Sequence, residues 1–206
     1  MPSFQKPPTV SDDYRAVDIY RKAADVIYDK GFNATSMGDI AEAVDLTKGG
    51  LYYYIKGKKA LLFAIMNFAM DLLETEIMVG ARQEPDPEAR LAQIVGGHIR
   101  VVINDPSALT ILVYEEENLS SEHRGKILKR KQEYDEMLRS TIQAVLDRRG
   151  GSKPIDAKIA AYSFLGMMHW VVRWFHSDGS ISRDEVIDQM TRLALHGLIP
   201  EPAPTH

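Results

Sequence analysis

The feature that most constrains this chain is the stretch Thr35–Lys58, where two short helical patterns are separated by a very tight break. Thr35 is placed as an N-cap, and Asp39 sits where a negative charge favours a helix start. Ile40 and Val44 recur at helical spacing, and Ala41 leaves room for a close neighbour. The pattern stops at Val44-Asp45-Leu46, where Asp45 can take the left-handed backbone of a sharp turn. Thr47 then caps a second helix carrying Lys48, Gly49, Gly50, Leu51, Tyr52, Tyr53 and Tyr54. Two short helices joined in this way form a helix-turn-helix, whose second helix can enter the major groove of DNA. An incidental corner between two helices would give no reason for gathering tyrosines and lysines there.

Taken in order, Gly31, Thr35, Ile40-Ala41, Leu46-Thr47, Gly50-Leu51-Tyr52 and Lys58 resemble the N-terminal signature of the TetR family of one-component repressors. The resemblance implies an all-α fold of about nine helices. A three-helix DNA-binding domain would occupy residues 1–60, and a larger helical effector-binding and dimerisation domain residues 61–206. It also implies that Thr35, Tyr52, Tyr54 and Lys58 hold the phosphate backbone, and that the last two helices pair across a two-fold axis. Asp45 stands where the family usually has glycine, and Tyr54-Ile55 where it usually has His-Phe.

Within the second helix, Leu51 and Ile55 are four residues apart and should face inward against Ile40 and Val44. Lys48, Gly49 and Tyr52 would then occupy the exposed half. Lys48 can donate to guanine O6 and N7 or to phosphate. Gly49 and Gly50 cost roughly 1 kcal/mol each relative to alanine in a helix, so close approach of the backbone to the groove explains them better than folding does. The hydroxyls of Tyr52 and Tyr54 suit phosphate oxygens. Tyr53 either packs or reaches a thymine methyl or the sugar backbone. With Thr35, Thr47 and Lys58, these residues make up the candidate DNA-contacting set.

Net charge is −4, which at first argues against a partner as anionic as DNA. Its distribution argues otherwise: residues 1–60 hold nine Lys and Arg against eight Asp and Glu, and Thr47–Ala60 holds four lysines and no acid. A small basic patch on an acidic body fits modest phosphate neutralisation at one surface. No apolar run reaches the ~18 residues of a membrane span, the N-terminus lacks a secretory apolar core, and there is no cysteine. These features fit a cytoplasmic protein without disulfides or thiolate metal sites, and no cofactor is expected.

Helical periodicity accounts for most of the remaining chain. The Pro-rich residues 1–12 read as mobile, and a first helix spans about Asp13–Lys30, stopped by Gly31. Phe32 is placed to insert between this helix and the next pair. A long pattern from Lys58 to about Arg82 leaves the DNA-binding unit as a lever into the body. Further helices are expected over Glu88–Asn104, from Pro106 to near Asn118, and over Ser121–Arg149. The run Arg124, Lys126, Lys129, Arg130 and Lys131 reads as a solvated face, with auxiliary DNA contact as the alternative. Gly150–Pro154 reads as a loop. Ile155–His176 is apolar nearly all round and should be buried on more than one side; Ser182–Glu185 is a capping box before a last stripe from Val186 to Gly197.

The segment Gly166–Gly179 resembles the run Gly-x-x-Asn-Trp-x-x-Arg-Trp-Tyr-x-x-Asp-Gly of a TetR subgroup. That subgroup includes regulators of fatty-acid and sterol catabolism, some of which respond to acyl-CoA thioesters. Here His169 replaces the asparagine, Phe175 the tyrosine, and His176 a frequent arginine. Tyr162, Gly166, His169 and Arg173 share one side of a helix, and Arg173 among Trp170, Trp174 and Phe175 is a cation in apolar surroundings. Arg173 can meet an anionic or carbonyl oxygen of a ligand, or the Glu115–Glu117 run of the chain itself. The candidate effector set is Met66, His98, Tyr114, Tyr162, Gly166, His169, Trp170 and Arg173; for Met66, His98 and His169, ordinary core packing is the competing reading. The implied partners are double-stranded operator DNA, a small hydrophobic effector such as an acyl-CoA, and a second copy of the chain. A helical enzyme built on His98, Glu115–Glu117, His123 and His169 is the alternative, but no metal-ligand or acid–base spacing links these residues.

Overall fold

Breaks in the apolar periodicity become helix ends. A computed structural model of the chain describes residues 10–150 and 155–197, which form nine helices and no strand. Helix α1 spans Val10–Lys30 and so begins three residues before the expected Asp13. Of the segment expected to be mobile, residues 10–12 are helical and residues 1–9 lie outside the described part. Gly31, with φ 80°, ends α1 as expected, and buried Phe32 follows. Helices α2 (Met37–Ala43) and α3 (Lys48–Tyr54) complete the small N-terminal unit.

Helix α4 runs without interruption over 58–83. It is α-helical over Lys58–Leu73, makes a π-helical turn at Glu74–Met78, and resumes over Val79–Gln83. The wider turn brings Ile77 against the next helix at Gly97, where a Cβ atom would lie 2.9 Å from Ile77 Cγ1. A side chain at position 97 would therefore collide with the turn.

Helix α5 (Pro87–Asn104) starts on Asp86, which accepts from the Ala89 amide at 2.9 Å, with Pro87 in the first turn. Helix α6 covers Pro106–Tyr114 and stops short of the expected Asn118. The Asn118 backbone amide donates to the Glu115 carbonyl at 3.1 Å, its side-chain amide donates to Glu115 Oε2 at 2.6 Å, and Leu119 is buried, which tightens Glu116–Asn118 into a 3₁₀ turn. Helix α7 spans Ser121–Arg149, as its periodicity indicates. Residues 151–154 of the expected loop lie outside the described part. Helix α8 (Ala157–Trp174) is capped by Asp156 and is shorter at both ends than expected; α9 (Arg183–His196) opens on the Ser182–Glu185 capping box.

Two arrangements depart from the sequence reading. The basic run of α7 is engaged in ion pairs: Arg130 with Asp71 of α4 at 2.7 Å, and Lys131 and Arg124 with Glu116 at 2.6 and 3.4 Å. Most of the run therefore ties helices together, and only part is a freely solvated face. Helix α8 is not buried on several sides within one chain. Ile159 is 66% exposed and Trp170 64%, with Tyr162 and Gly166 exposed between them. Leu193 of α9 is 60% exposed. These residues form an uncovered apolar surface on the last two helices.

The N-terminal unit is seated on the body through α1. Arg21 Nε donates to Asp105 Oδ1 at 2.6 Å, its guanidinium lies 5.4 Å from the Phe68 ring centroid, and Ser107 Oγ donates to Asp25 Oδ1 at 2.6 Å. No helix among the described residues is long and apolar enough to cross a membrane.

Candidate DNA-reading face and effector cavity

The reading unit is held by local chemistry. Its first helix is capped by Ser36, not by Thr35. The Asp39 amide donates to Ser36 Oγ at 3.1 Å and the Ser36 amide to Asp39 Oδ2 at 2.7 Å, a reciprocal box. Thr35 is only 2% exposed, and its hydroxyl donates to the Gly31 carbonyl at 2.9 Å. The Lys30 ammonium, at 2.9 Å, and the Ser36 hydroxyl hold the Asp39 carboxyl well below its usual range. Asp45 takes φ 54° at the turn, the left-handed conformation expected of it. Thr47 Oγ1 then accepts from the Gly50 amide at 3.0 Å and starts α3; losing such a cap typically costs about 1 kcal/mol.

Leu51, Ile55, Ile40 and Val44 are buried together in the core of the unit. Thr47, Lys48, Gly49, Tyr52, Tyr53 and Tyr54 are exposed, Tyr53 at 85% with its ring edge-on to that of Tyr54. The stem of Lys48 lies across Gly38, where a Cβ would come within 2.8 Å of Lys48 Cε. Lys58 plays a different part. Its ammonium donates to the carbonyls of Phe32 and Thr35 at 2.8 Å each and of Asn33 at 3.3 Å, and sits 4.5 Å from the Phe32 ring centroid. The side chains of Thr35 and Lys58 are thus turned to the unit's own carbonyls, not outward to a phosphate.

The body holds two adjoining cavities. The inner one, about 370 Å³, lies among α4 to α8 and is walled by Met70, Leu73, Leu112, Leu128 and Leu165, with His98, Tyr134, Lys131, Tyr162 and His169 as its polar groups. The outer chamber, about 590 Å³, lies between α1, α6 and α8 and is lined by Tyr28, Thr110, Tyr114, Gly166, Trp170 and Arg173. Val113, Leu165 and His169 belong to both. Seven of the eight candidate effector residues therefore line one cavity or the other. Met66 does not: it is wholly buried in the core, and Met70, one turn further along α4, lines the inner cavity in its place.

His98 is not the fully satisfied core histidine that was expected as its competing role. Its Nδ1 lies 2.8 Å from the Tyr134 hydroxyl, but its buried Nε2 has no hydrogen-bond partner. The His169 ring stands edge-on at 4.9 Å. Burial, helped by His169, pushes the His98 pKa well below the usual value, and burial with the nearby Lys131 charge lowers that of His169 to about 4. Burial raises the Tyr134 phenol, so all three groups are uncharged at neutral pH. Arg173 is exposed and makes no ion pair among the described residues. The glutamate run does not meet it, because Glu116 is bound to Lys131 and Arg124, and Glu115 to Asn118.

Leu73, Leu112, Leu128, Tyr134 and Tyr28 escaped the sequence reading. The aliphatic ones carry the same periodic signal as core residues. Tyr134 carried a usable signal, since it places a phenol hydroxyl in the mostly apolar buried stripe of Ile127, Leu138, Ile142 and Val145. Among the described residues, no three His, Asp or Glu side chains converge as a metal site would need.

Comparison with known proteins agrees with this geometry. The family model for bacterial regulatory proteins of the tetR family matches residues 19–65, and the model for a tetracyclin repressor-like C-terminal domain matches residues 84–198. The chain is 26% identical to the HTH-type transcriptional repressor KstR2 of Rhodococcus jostii, over 89% of this chain and 91% of that one. Its fold resembles the crystal structure of AibR in complex with isovaleryl coenzyme A and operator DNA, with a TM-score of 0.77 and 34% identity over 87% of this chain and 97% of that one. The ketosteroid transcriptional regulator KstR2 of Mycobacterium tuberculosis shares the fold at a TM-score of 0.81 and 18% identity, over 96% and 98% of the two chains.

Proposed function

The chain belongs to the TetR family of bacterial transcriptional regulators, and from that premise we propose that it is a dimeric repressor released from a palindromic operator by a hydrophobic thioester. The observation that carries this reading is the path of α4. The helix begins at Lys58, whose side chain binds the loop of the reading unit, and twelve residues later its Met70 lines the inner cavity. A ligand that displaces Met70 and Leu73 therefore acts on the rod that carries the reading unit. A differential affinity of about 1–3 kcal/mol between the two arrangements is enough for effective release.

Residues 1–60 form the DNA-binding domain, and 61–206 the effector-binding and dimerisation domain. Thr47, Lys48, Gly49, Tyr52, Tyr53 and Tyr54 make the contact with DNA: Lys48 and Tyr52 toward the groove, Tyr54 toward phosphate. The apolar surface around Ile159 of α8 and Leu193 of α9, residues that line neither cavity, pairs with its copy, which sets two reading helices on the two halves of the operator. The inner cavity takes the acyl part of the effector, and His98 Nε2 waits for a hydrogen-bonding oxygen on it. Arg173 offers a charge to the anionic remainder in the outer chamber. The relatives are regulators; in this reading the chain binds its ligand in the cytoplasm and does not transform it.

Fluorescence anisotropy on an operator duplex selected in vitro tests the reading face. Lys48→Ala and Tyr52→Ala should each weaken specific binding about tenfold, in line with ~1–3 kcal/mol per base-reading contact. Wild-type affinity in both variants would place the reading face elsewhere.

A further inference from the structure

Three residues of α1 face the body from one stripe: Arg21, Asp25 and Tyr28, at spacings of four and three. The first two are engaged, Arg21 with Asp105 and Asp25 with Ser107, at 2.6 Å each. Opposite them on α6, Ser107, Thr110 and Tyr114 form the matching stripe. The seam between α1 and α6 is thus closed by polar contacts at one end and opens at the other into the outer chamber, which Tyr28, Thr110 and Tyr114 line together. Tyr28 is 38% exposed, and its side chain belongs to the helix that carries the reading unit. The far wall of the chamber is α8, with Trp170 and Arg173.

On the reading proposed above, we infer that the effector site is shared between the two units, with Tyr28 a ligand-contacting residue that carries part of the coupling to DNA. A thioester whose acyl part fills the inner cavity must pass the shared wall at Val113, Leu165 and His169 and leave its larger, anionic part in the outer chamber. There it lies between Arg173 on α8 and Tyr28 on α1. The occupant wedges the open end of the seam, and α1 turns about its closed end at Arg21–Asp105. This route reaches the reading unit through α1 and acts beside the one through α4. It requires a bipartite ligand. An apolar molecule confined to the inner cavity would move α4 alone.

Because coupling between two ligands is reciprocal, it is read as the ratio of effector affinities with and without operator bound. The probe is isovaleryl-CoA, titrated calorimetrically into the full-length protein alone and saturated with its in-vitro-selected operator, with octanoyl-CoA and palmitoyl-CoA as further thioesters. The wild type should bind at least tenfold more weakly on the operator than off it. Tyr28→Ala should reduce that ratio at least threefold, and Tyr28→Phe, which keeps the ring, should restore most of it. A wild-type ratio that Tyr28→Ala leaves unchanged overturns the shared site while leaving the thioester-responsive repressor intact. Failure of the wild type to bind any of the three thioesters overturns both.

Discussion

Replacing Ile159 and Leu193 together with aspartate is expected to convert the protein to monomers and to weaken operator binding by at least 100-fold. Both side chains stand largely free of the chain's own core, at 66% and 60% exposure, so neither substitution opens a hole in it. In a pair of chains, each aspartate would be desolvated against an apolar neighbour, at a cost of several kcal/mol per buried charge. The loss of DNA affinity follows from the loss of linkage. Two reading helices held at fixed spacing gain about 10²–10⁴ over one through effective concentration, and a monomer forfeits that gain. Sedimentation equilibrium and anisotropy on the same samples check both halves. A dimer surviving in the double variant, with operator affinity intact, would place the two-fold contact on another surface.

Acid is expected to destabilise the protein well above the range in which carboxylates titrate. Burial lowers the pKa of His98 far below 6.5 and that of His169 to about 4, while in the unfolded chain both titrate near 6.5. Between those values the unfolded state binds protons that the folded state refuses, so stability falls as pH falls. Above about pH 7 both states are neutral and the slope vanishes. For His169, a drop from pH 7.5 to 5 removes about 2 kcal/mol, and His98 adds a loss in the same direction. Urea denaturation across this window should show the slope, and His169→Gln should remove the part due to His169. A histidine-ring NMR titration of the native protein should show neither ring protonated at pH 6; midpoints near 6.5 would contradict the buried, neutral cavity end.

How far the sequence could be read differs from place to place for physical reasons. The caps at Thr47 and Ser182 were legible because a hydroxyl before an apolar repeat satisfies specific amides, and nothing distant competes. Thr35 and Ser36 were not separable in that way. Either can cap, and the choice fell to Ser36 because the methyl-bearing Thr35 is taken into the junction with Gly31. Lys58 looked like a phosphate ligand because its three acceptors belong to a loop over twenty residues away, which spacing does not reveal.

The π-turn at Glu74–Met78 is equally silent. It shifts the phase of an apolar repeat by one residue, and it depends on Gly97 of another helix. Among the residues that line the two cavities, the polar side chains His98, Tyr162, His169 and Arg173 stand out in the sequence against apolar stripes. Met66 and Met70 are alike in sequence. Only the packing of α4 against α6 and α7 decides which is core and which is wall. Tyr28 was out of reach for the same reason, since its role depends on how α1 is seated on α6.

The central claim, that one chain couples an operator to a thioester, is tested most directly by a single titration. Operator duplex selected in vitro is bound by the dimer and followed by fluorescence anisotropy while isovaleryl-CoA, octanoyl-CoA or palmitoyl-CoA is added. The account predicts tight binding of two protomers to a palindromic site and release by at least one thioester, with the operator Kd raised at least tenfold, about 1.4 kcal/mol. An operator complex that persists unchanged at saturating concentrations of every thioester, or a selection that enriches no sequence over random DNA, would contradict it.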